Sequence, residues 1–503
     1  MARIIAALSL VAPALADWQF RSRPDLSPPK LNITIPATPG VAPGYIFVAP
    51  YPAFDGTPST LEQQAAYIFR NDGDLVWSSL GYFAGWVSNF QAVRYRGQPV
   101  LQAFQGTLDP FHGHGYGTPI LLDSSYQLIA ALQSRNNLIS LHEFKLVNET
   151  TALVEVYQPV PYDLRRNGGQ KNGWIVDGVF QELDIASNKL LASFSSLSYS
   201  PPPDEKLKAP VGTTSFEAWD YFHVNSVDKD AGGDYLVSAR HISTIYKLSP
   251  NGTILWQLGG PNSTFPLSPD AKFAFQHDAR FLSQSTGGTI ETISLFDNAA
   301  RGIDHHGGVG IVHPVSSARI FRLNHTDNTA TELKRFNAPD GISALSQGNA
   351  QVLKNDNVFV NWGQAGAITE YDTHGNILFH AYLGKGVQSY RGFRYEWVGR
   401  PREEPVVVAL RNNDGVSAYV SWNGDTETEK WEVWGEREDG SVKKLGVARK
   451  QGFETVIHVG DVEGLKVSAV ALDKKGVAIG RSAGVRVIED LGVGQEVKEL
   501  GDL

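Results

Sequence analysis

The chain has 503 residues, 42% hydrophobic and 19% charged, a balance that excludes wholesale disorder and a length that exceeds one ordinary core. The net charge of −9 argues against non-specific binding to nucleic acid or to an anionic membrane. There is no cysteine, so disulfides, a thiolate nucleophile and Cys-ligated metals are excluded, while 11% aromatics, 50 Gly and 27 Pro favour an all-β protein.

Residues 2–16 read ARIIAALSLVAPALA: one Arg, an apolar run, then the small-x-small pattern Ala14-Leu15-Ala16. This is the pattern of a secretory signal peptide over 1–16. It is too short to span a membrane, and no later stretch is long and apolar enough to be a transmembrane segment. Five sequons, at Asn32, Asn148, Asn251, Asn262 and Asn324, offer N-glycan acceptors and agree with a secreted, extracellular protein.

One local pattern then recurs. An apolar strand meets a turn of polar residues with Gly or Asn, and a second short apolar strand follows. The copies occupy 67–77, 119–129, 180–191, 244–256, 319–333 and 367–379. Each reads as a hairpin, and their spacing of roughly 50 to 75 residues fits one four-stranded unit per copy. A lone hairpin cannot bury its face, so six must pack radially, which predicts a six-bladed β-propeller over 17–400. A large β-sandwich with repeated hairpins is the alternative. The segment 399–405 is charged and Pro-flanked and reads as a linker. About seven short alternating segments follow within 402–503, predicting a small immunoglobulin- or fibronectin-like β-sandwich.

Propellers collect function around a central channel, and the thirteen histidines are the first place to look. The segment 219–243 carries His223, Asn225 and Arg240 around the turn DKDAGGD. Strand alternation puts His223 and Asn225 on one face. Pairing Val227 with Asp234 would set His223 opposite Ser238, with Arg240 one diagonal step away, a set of donors suited to a tetrahedral anion. A core histidine and a structurally paired arginine are the plainer reading. His277 lies between Gln276 and Asp278-Ala279-Arg280 and could act as base, nucleophile or structural donor. His142 sits inside an apolar strand, whereas His112 and His114 stand among glycines and read as a loop. DHHGG at 304–308 could take a metal but has no partner carboxylates at ligand spacing. No GxSxG elbow, P-loop, HExxH or strand–helix GxGxxG is present, so no nucleotide cofactor or nucleotide sulfate donor is implied.

The ordered set HEF, DYFHVNSV, SARHIST and FQHDAR, with TIYKLSPNGTILWQLGG and ISLFDN, resembles the PAPS-independent arylsulfotransferases, specifically their secreted fungal branch. The resemblance covers about residues 40 to 400. It implies a six-bladed propeller that moves a sulfuryl group from an aryl sulfate donor to a phenolic acceptor through a sulfohistidine, without a cofactor or metal. Carried over by motif, His277 matches the histidine that becomes sulfated. His223 and Asn225 match the HxN pair, Arg240 matches the sulfate-pocket arginine, and His142 matches an earlier-blade histidine for which His114 is the rival. Under this reading a protonated His223 or His142 gives the departing oxygen its proton. Two other expectations stand beside it: hydrolysis of the same intermediate by water, and a non-catalytic propeller that binds partners at the cell surface. The discriminating feature is spatial, because an enzyme needs His142, His223, Arg240 and His277 in one funnel.

Overall fold

A computed structural model describes residues 19–134, 138–208, 210–301, 310–460 and 462–490. The signal-peptide segment 1–16 and the histidine pair at 305 and 306 lie outside the described residues. Among those described, strands dominate and the single α-helix is the four-residue turn Ser196–Tyr199. No described helix is long and apolar enough to cross a membrane.

The strands form six antiparallel blades around a channel. From the inside outward, blade one uses Val387–Tyr395, Tyr45–Pro52, Tyr67–Phe69 and Leu75–Ser78. Blade two begins with Trp86–Tyr95, blade three with Phe144–Val147 and blade four with Val224–Lys229. Blade five begins with His277–Gln284 and blade six with Asn349–Val352. Each of the six hairpins expected from the sequence is the outer strand pair of one blade. The sixth blade gains a fifth, edge strand, Asn32–Ile35, against Ile377–Tyr382. The ring closes through blade one, whose innermost strand comes from the far end of the propeller sequence and pairs with Tyr45–Pro52.

Six apolar clusters hold the ring, each between consecutive blades. Phe47, Ile68 and Trp77 of blade one meet Phe90 and Leu101 of blade two, and Leu236, Ile245 and Trp256 of blade four meet Ile293 and Phe321 of blade five. The middle strands are therefore buried on both faces, and several read as continuous apolar runs, such as Tyr67–Phe69, rather than as strict alternation. Neighbouring blades are also stapled near the axis by asparagine side chains. The Nδ2 groups of Asn89, Asn225 and Asn349 donate to the carbonyls of Leu141, Gln276 and Gly392 in another blade.

Beyond the segment 399–405, eight strands from Val406–Asn412 to Val485–Glu489 make one further sheet. A parallel pairing of Val406–Asn412 with Val485–Glu489 joins its two halves. The ends of the strand path, Val442–Arg449 and Glu454–Gly460, lie against each other, so the sheet curls around a core of its own. That core includes Val416, Ala418, Val420, Trp431 and Ala469. The curled sheet docks on blade one, where the Asn423 side chain exchanges hydrogen bonds with the backbone of Ser78, 2.9 Å each way. The Tyr126 hydroxyl of blade two donates to the Gly424 carbonyl.

Candidate functional site

All six innermost strands start at the same end of the channel, and the residues at or close to those starts line a funnel of about 540 Å³. Trp86, His142, His223, His277, Gln347 and Gln388 come one from each blade in this way. Four sequence-predicted residues, His142, His223, Arg240 and His277, therefore share one wall system. His114, the rival of His142, is present as well, with ring centroids 6.4 Å apart.

His277 is the first residue of its strand and is buried. Its Nδ1 lies 2.6 Å from Asn298 Oδ1. The Asn298 amide donates to the carbonyls of Ala344 and Gln347, which fixes Oδ1 as an acceptor. Nδ1 must then carry the proton, and Nε2 is left with its lone pair. The backbone N–H of Gln347 reaches Nε2 at 3.3 Å and agrees with that tautomer. Burial and then the nearby Arg240 cation hold the His277 pKa well below the usual histidine range, so the ring is neutral.

His223 has φ +53, an uncommon conformation for a non-glycine residue. Its Nδ1 lies 2.5 Å from Asp220 Oδ2, and its backbone N–H donates to Asp220 Oδ1. Burial lowers its pKa and Asp220 opposes that shift. His142 packs against His223 with ring centroids 4.9 Å apart and has Ser140 Oγ 2.9 Å from its Nδ1. Burial and then the neighbouring histidines push the His142 pKa well down, which removes it as a proton donor and leaves it a neutral hydrogen-bonding group. Arg240 donates through Nη2 to the Leu345 carbonyl and lies over the Phe275 ring at 5.7 Å.

The register expected for this hairpin is corrected. Val227 pairs with Val237, not Asp234, because the turn closes between Asp230 and Asp234 with Gly233 at φ +93. A bulge between Val224 and Ser226 shifts the register once more. His223 is consequently opposed to Arg240 itself, whose N–H donates to the His223 carbonyl, rather than to Ser238. The bulge also separates His223 from Asn225. Asn225 is fully buried, is absent from the funnel wall, and spends its amide on the Gln276 carbonyl.

Sequence reasoning missed Asp220, Asn298, Gln347, Trp86 and Tyr390. Asp220 stands three residues before His223, a spacing visible in the sequence, and Asn298 ends the quoted ISLFDN. The others come from blades without a histidine motif. The Trp86 Nε1 and the Tyr390 hydroxyl are buried without a hydrogen-bond partner in this wall, so both remain available to a bound molecule. One ligand atom each from His114, Asp220 and His223 lies within 4.8 Å of the others, close enough to share one metal ion.

A family model described as Arylsulfotransferase (ASST) matches residues 91–384, more than half of the chain. No curated protein matches. Among solved structures, a protein of unknown function from Bacteroides caccae is 11% identical, with a TM-score of 0.38 over 70% of this chain and 98% of that one. The GH43 protein BlXynB of Bacillus licheniformis is 10% identical, with a TM-score of 0.32 over 80% of this chain and 90% of that one.

Proposed function

The chain belongs to the arylsulfotransferase (ASST) family, and on that premise we propose that it transfers a sulfuryl group from an aryl sulfate to a phenolic acceptor through a sulfohistidine at His277. The observation that carries this reading is the neutral His277 ring, whose Nε2 lone pair is set by Asn298 beside Arg240 in an open funnel. Nε2 attacks sulfur, the S–O bond to the aryl group breaks, and the phenol oxygen leaves with the bonding pair. Arg240 holds the sulfuryl oxygens. His223 takes up a proton against the burial that lowers its pKa, because Asp220 is its counter-ion, and gives that proton to the leaving oxygen. In the second half an acceptor phenol oxygen attacks sulfur, the N–S bond breaks, and the phenol proton returns to His223. Tyr51, Trp86 and Tyr390 form the aromatic wall against which aryl rings pack.

Secretion and glycosylation belong to the same proposal. The sequence pattern at 1–16 supports the first; exposed Asn32, Asn148, Asn251 and Asn262 and half-exposed Asn324 support the second. We read the curled C-terminal sheet as a fibronectin-like sandwich that carries no chemistry, on the strength of its short strands and separate core.

The test is a single turnover. Enzyme mixed with a chromogenic aryl sulfate and no acceptor should release one equivalent of phenol in a burst and hold acid-labile sulfate on His277. Adding a phenol should restore turnover and yield its sulfate ester. Free sulfate in place of that ester would make the chain a hydrolase, and no release of phenol under either condition would leave it a binding module.

A further inference from the structure

The funnel wall carries the carboxylates of Asp55, Glu217 and Asp220 against a single guanidinium, Arg240. With three carboxylates against one guanidinium among the described lining residues, this wall favours a cation. The acid deepest in it has an unusual environment. Two imidazoles converge on one oxygen of Asp220: His223 Nδ1 at 2.5 Å and His114 Nε2 at 2.9 Å. His114 comes from a segment remote in sequence from the other two, and each side chain has its own support. His114 sits on a turn closed by a bridge between Asp109 and His114, and its ring packs on Tyr157 at 4.3 Å. Asp220 accepts the His223 backbone N–H through its other oxygen, and its own carbonyl lies 2.5 Å from His241 Nδ1.

We propose that His114, Asp220 and His223 are the ligands of an open three-ligand site for a divalent transition metal of the zinc class. Two imidazole nitrogens and one carboxylate oxygen are a donor set that zinc takes, at roughly 2.0 to 2.2 Å per bond, with the fourth position left to water or substrate. Tetrahedral ligands at that bond length stand roughly 3.3 Å apart, so the two spacings to Asp220 need to open by less than about an ångström. Metal entry breaks the two hydrogen bonds to Asp220 and forms three metal–ligand bonds. For this, each neutral imidazole moves its one proton from the nitrogen that donates to Asp220 to its other ring nitrogen, Nδ1 of His114 and Nε2 of His223. Arg240 is the cation that opposes the ion, and Asp220, Glu217 and Asp55 offset it. The site shares His223 and Asp220 with the proposed proton donor, but its test reads metal binding alone, so failure of one reading is distinguishable from failure of the other.

The test uses the full chain, freed of any affinity tag and treated with chelator, then titrated with Co2+ as a spectroscopic substitute for Zn2+. The expected result is one Co2+ per chain with the intense visible absorption of a four-coordinate ion, displaced by one equivalent of Zn2+. His114→Ala should weaken Zn2+ binding by at least ~10- to 100-fold, with an unchanged far-UV circular dichroism spectrum, because ligand loss costs at least what loss of an outer-shell partner does. Asp220→Asn is the second variant and should weaken it likewise. Absence of saturable Co2+ absorption in the wild-type chain, or affinity that survives His114→Ala, would overturn the proposal.

Discussion

The two halves of the central channel use charge in opposite ways. Below the funnel, Glu143 bonds to Arg280 at 2.7 Å and to Arg391 at 2.9 Å, and Asp278 bonds to Arg280 at 2.7 Å. Arg391 also donates to the Asn89 side chain and to the Asn225 carbonyl. Every one of these ions is paired, and together they tie blades one to five beneath the site. In the funnel, by contrast, the histidines are held toward the neutral form and the Tyr390 hydroxyl and Trp86 Nε1 have no partner. Paired ions dominate the floor, where burial and then Glu143 push the pKa of the unpartnered Glu155 well up; in the funnel, unsatisfied donors and a neutral nucleophile wait for a ligand. The contrast predicts that substitutions above the floor change chemistry and those within it change stability.

His277→Asn should produce the largest effect, a loss of transfer of at least ~10⁴-fold as seen for nucleophile removal, with an unchanged thermal midpoint. Retained activity in a steady-state assay with aryl sulfate and phenol would remove His277 from the mechanism. Glu143→Gln breaks the floor and should cost about 3–5 kcal/mol of stability, because it strands buried guanidinium groups; urea unfolding reads this directly. Arg240→Lys should lower transfer about 10- to 100-fold while unfolding stays unchanged, since a point charge cannot replace the planar fork. An equal loss of stability would mean that Arg240 belongs to the floor.

Acid should weaken the whole fold in a direction the buried histidines set. His142 and His277 resist protonation when folded, whereas the unfolded chain takes those protons below about pH 6.5. Their contribution is present above that pH and is lost as pH falls, by at most about 1.4 kcal/mol per pH unit for each ring. Urea midpoints at neutral and mildly acidic pH check this, and a His142→Gln variant should show a flatter dependence. Asn225→Ala should give the smallest effect, about 1 kcal/mol of stability from the lost staple and less than a ~10-fold change in transfer. A transfer loss as large as that of Arg240→Lys at full stability would return Asn225 to the substrate.

Much of this is legible in the sequence for a physical reason. The outer hairpins of a blade need a turn with its own residue chemistry, so all six stand out at 67–77 through 367–379. The inner strands have no such signal, and their position depends on all six blades together. The histidines are visible because imidazoles beside apolar strand sequences are rare enough to notice, but the expectation that His142 lies inside a strand is corrected: His142 and His223 stand just before their strands, Phe144–Val147 and Val224–Lys229, and only His277 begins one. The hairpin register is not, because a bulge at Val224–Ser226 and the closing pair of a glycine turn are decided by packing. Asn298 and Asn225 look alike as letters. Only the fold makes one the orienting partner of His277 and the other a staple between blades.

The innermost strand of blade one, Val387–Tyr395, carries both Tyr390 of the funnel and Arg391 of the floor. It is also among the last parts of the propeller to be synthesised, and Arg394 must find Gly44, 350 positions earlier. Ring closure is thus a late, long-range event. Until it happens, Glu143 lacks one of its two guanidinium partners and the funnel lacks a wall. A chain that lacks this strand lacks both the Tyr390 wall and the Arg391 pairing, so the site is complete only once the ring has closed.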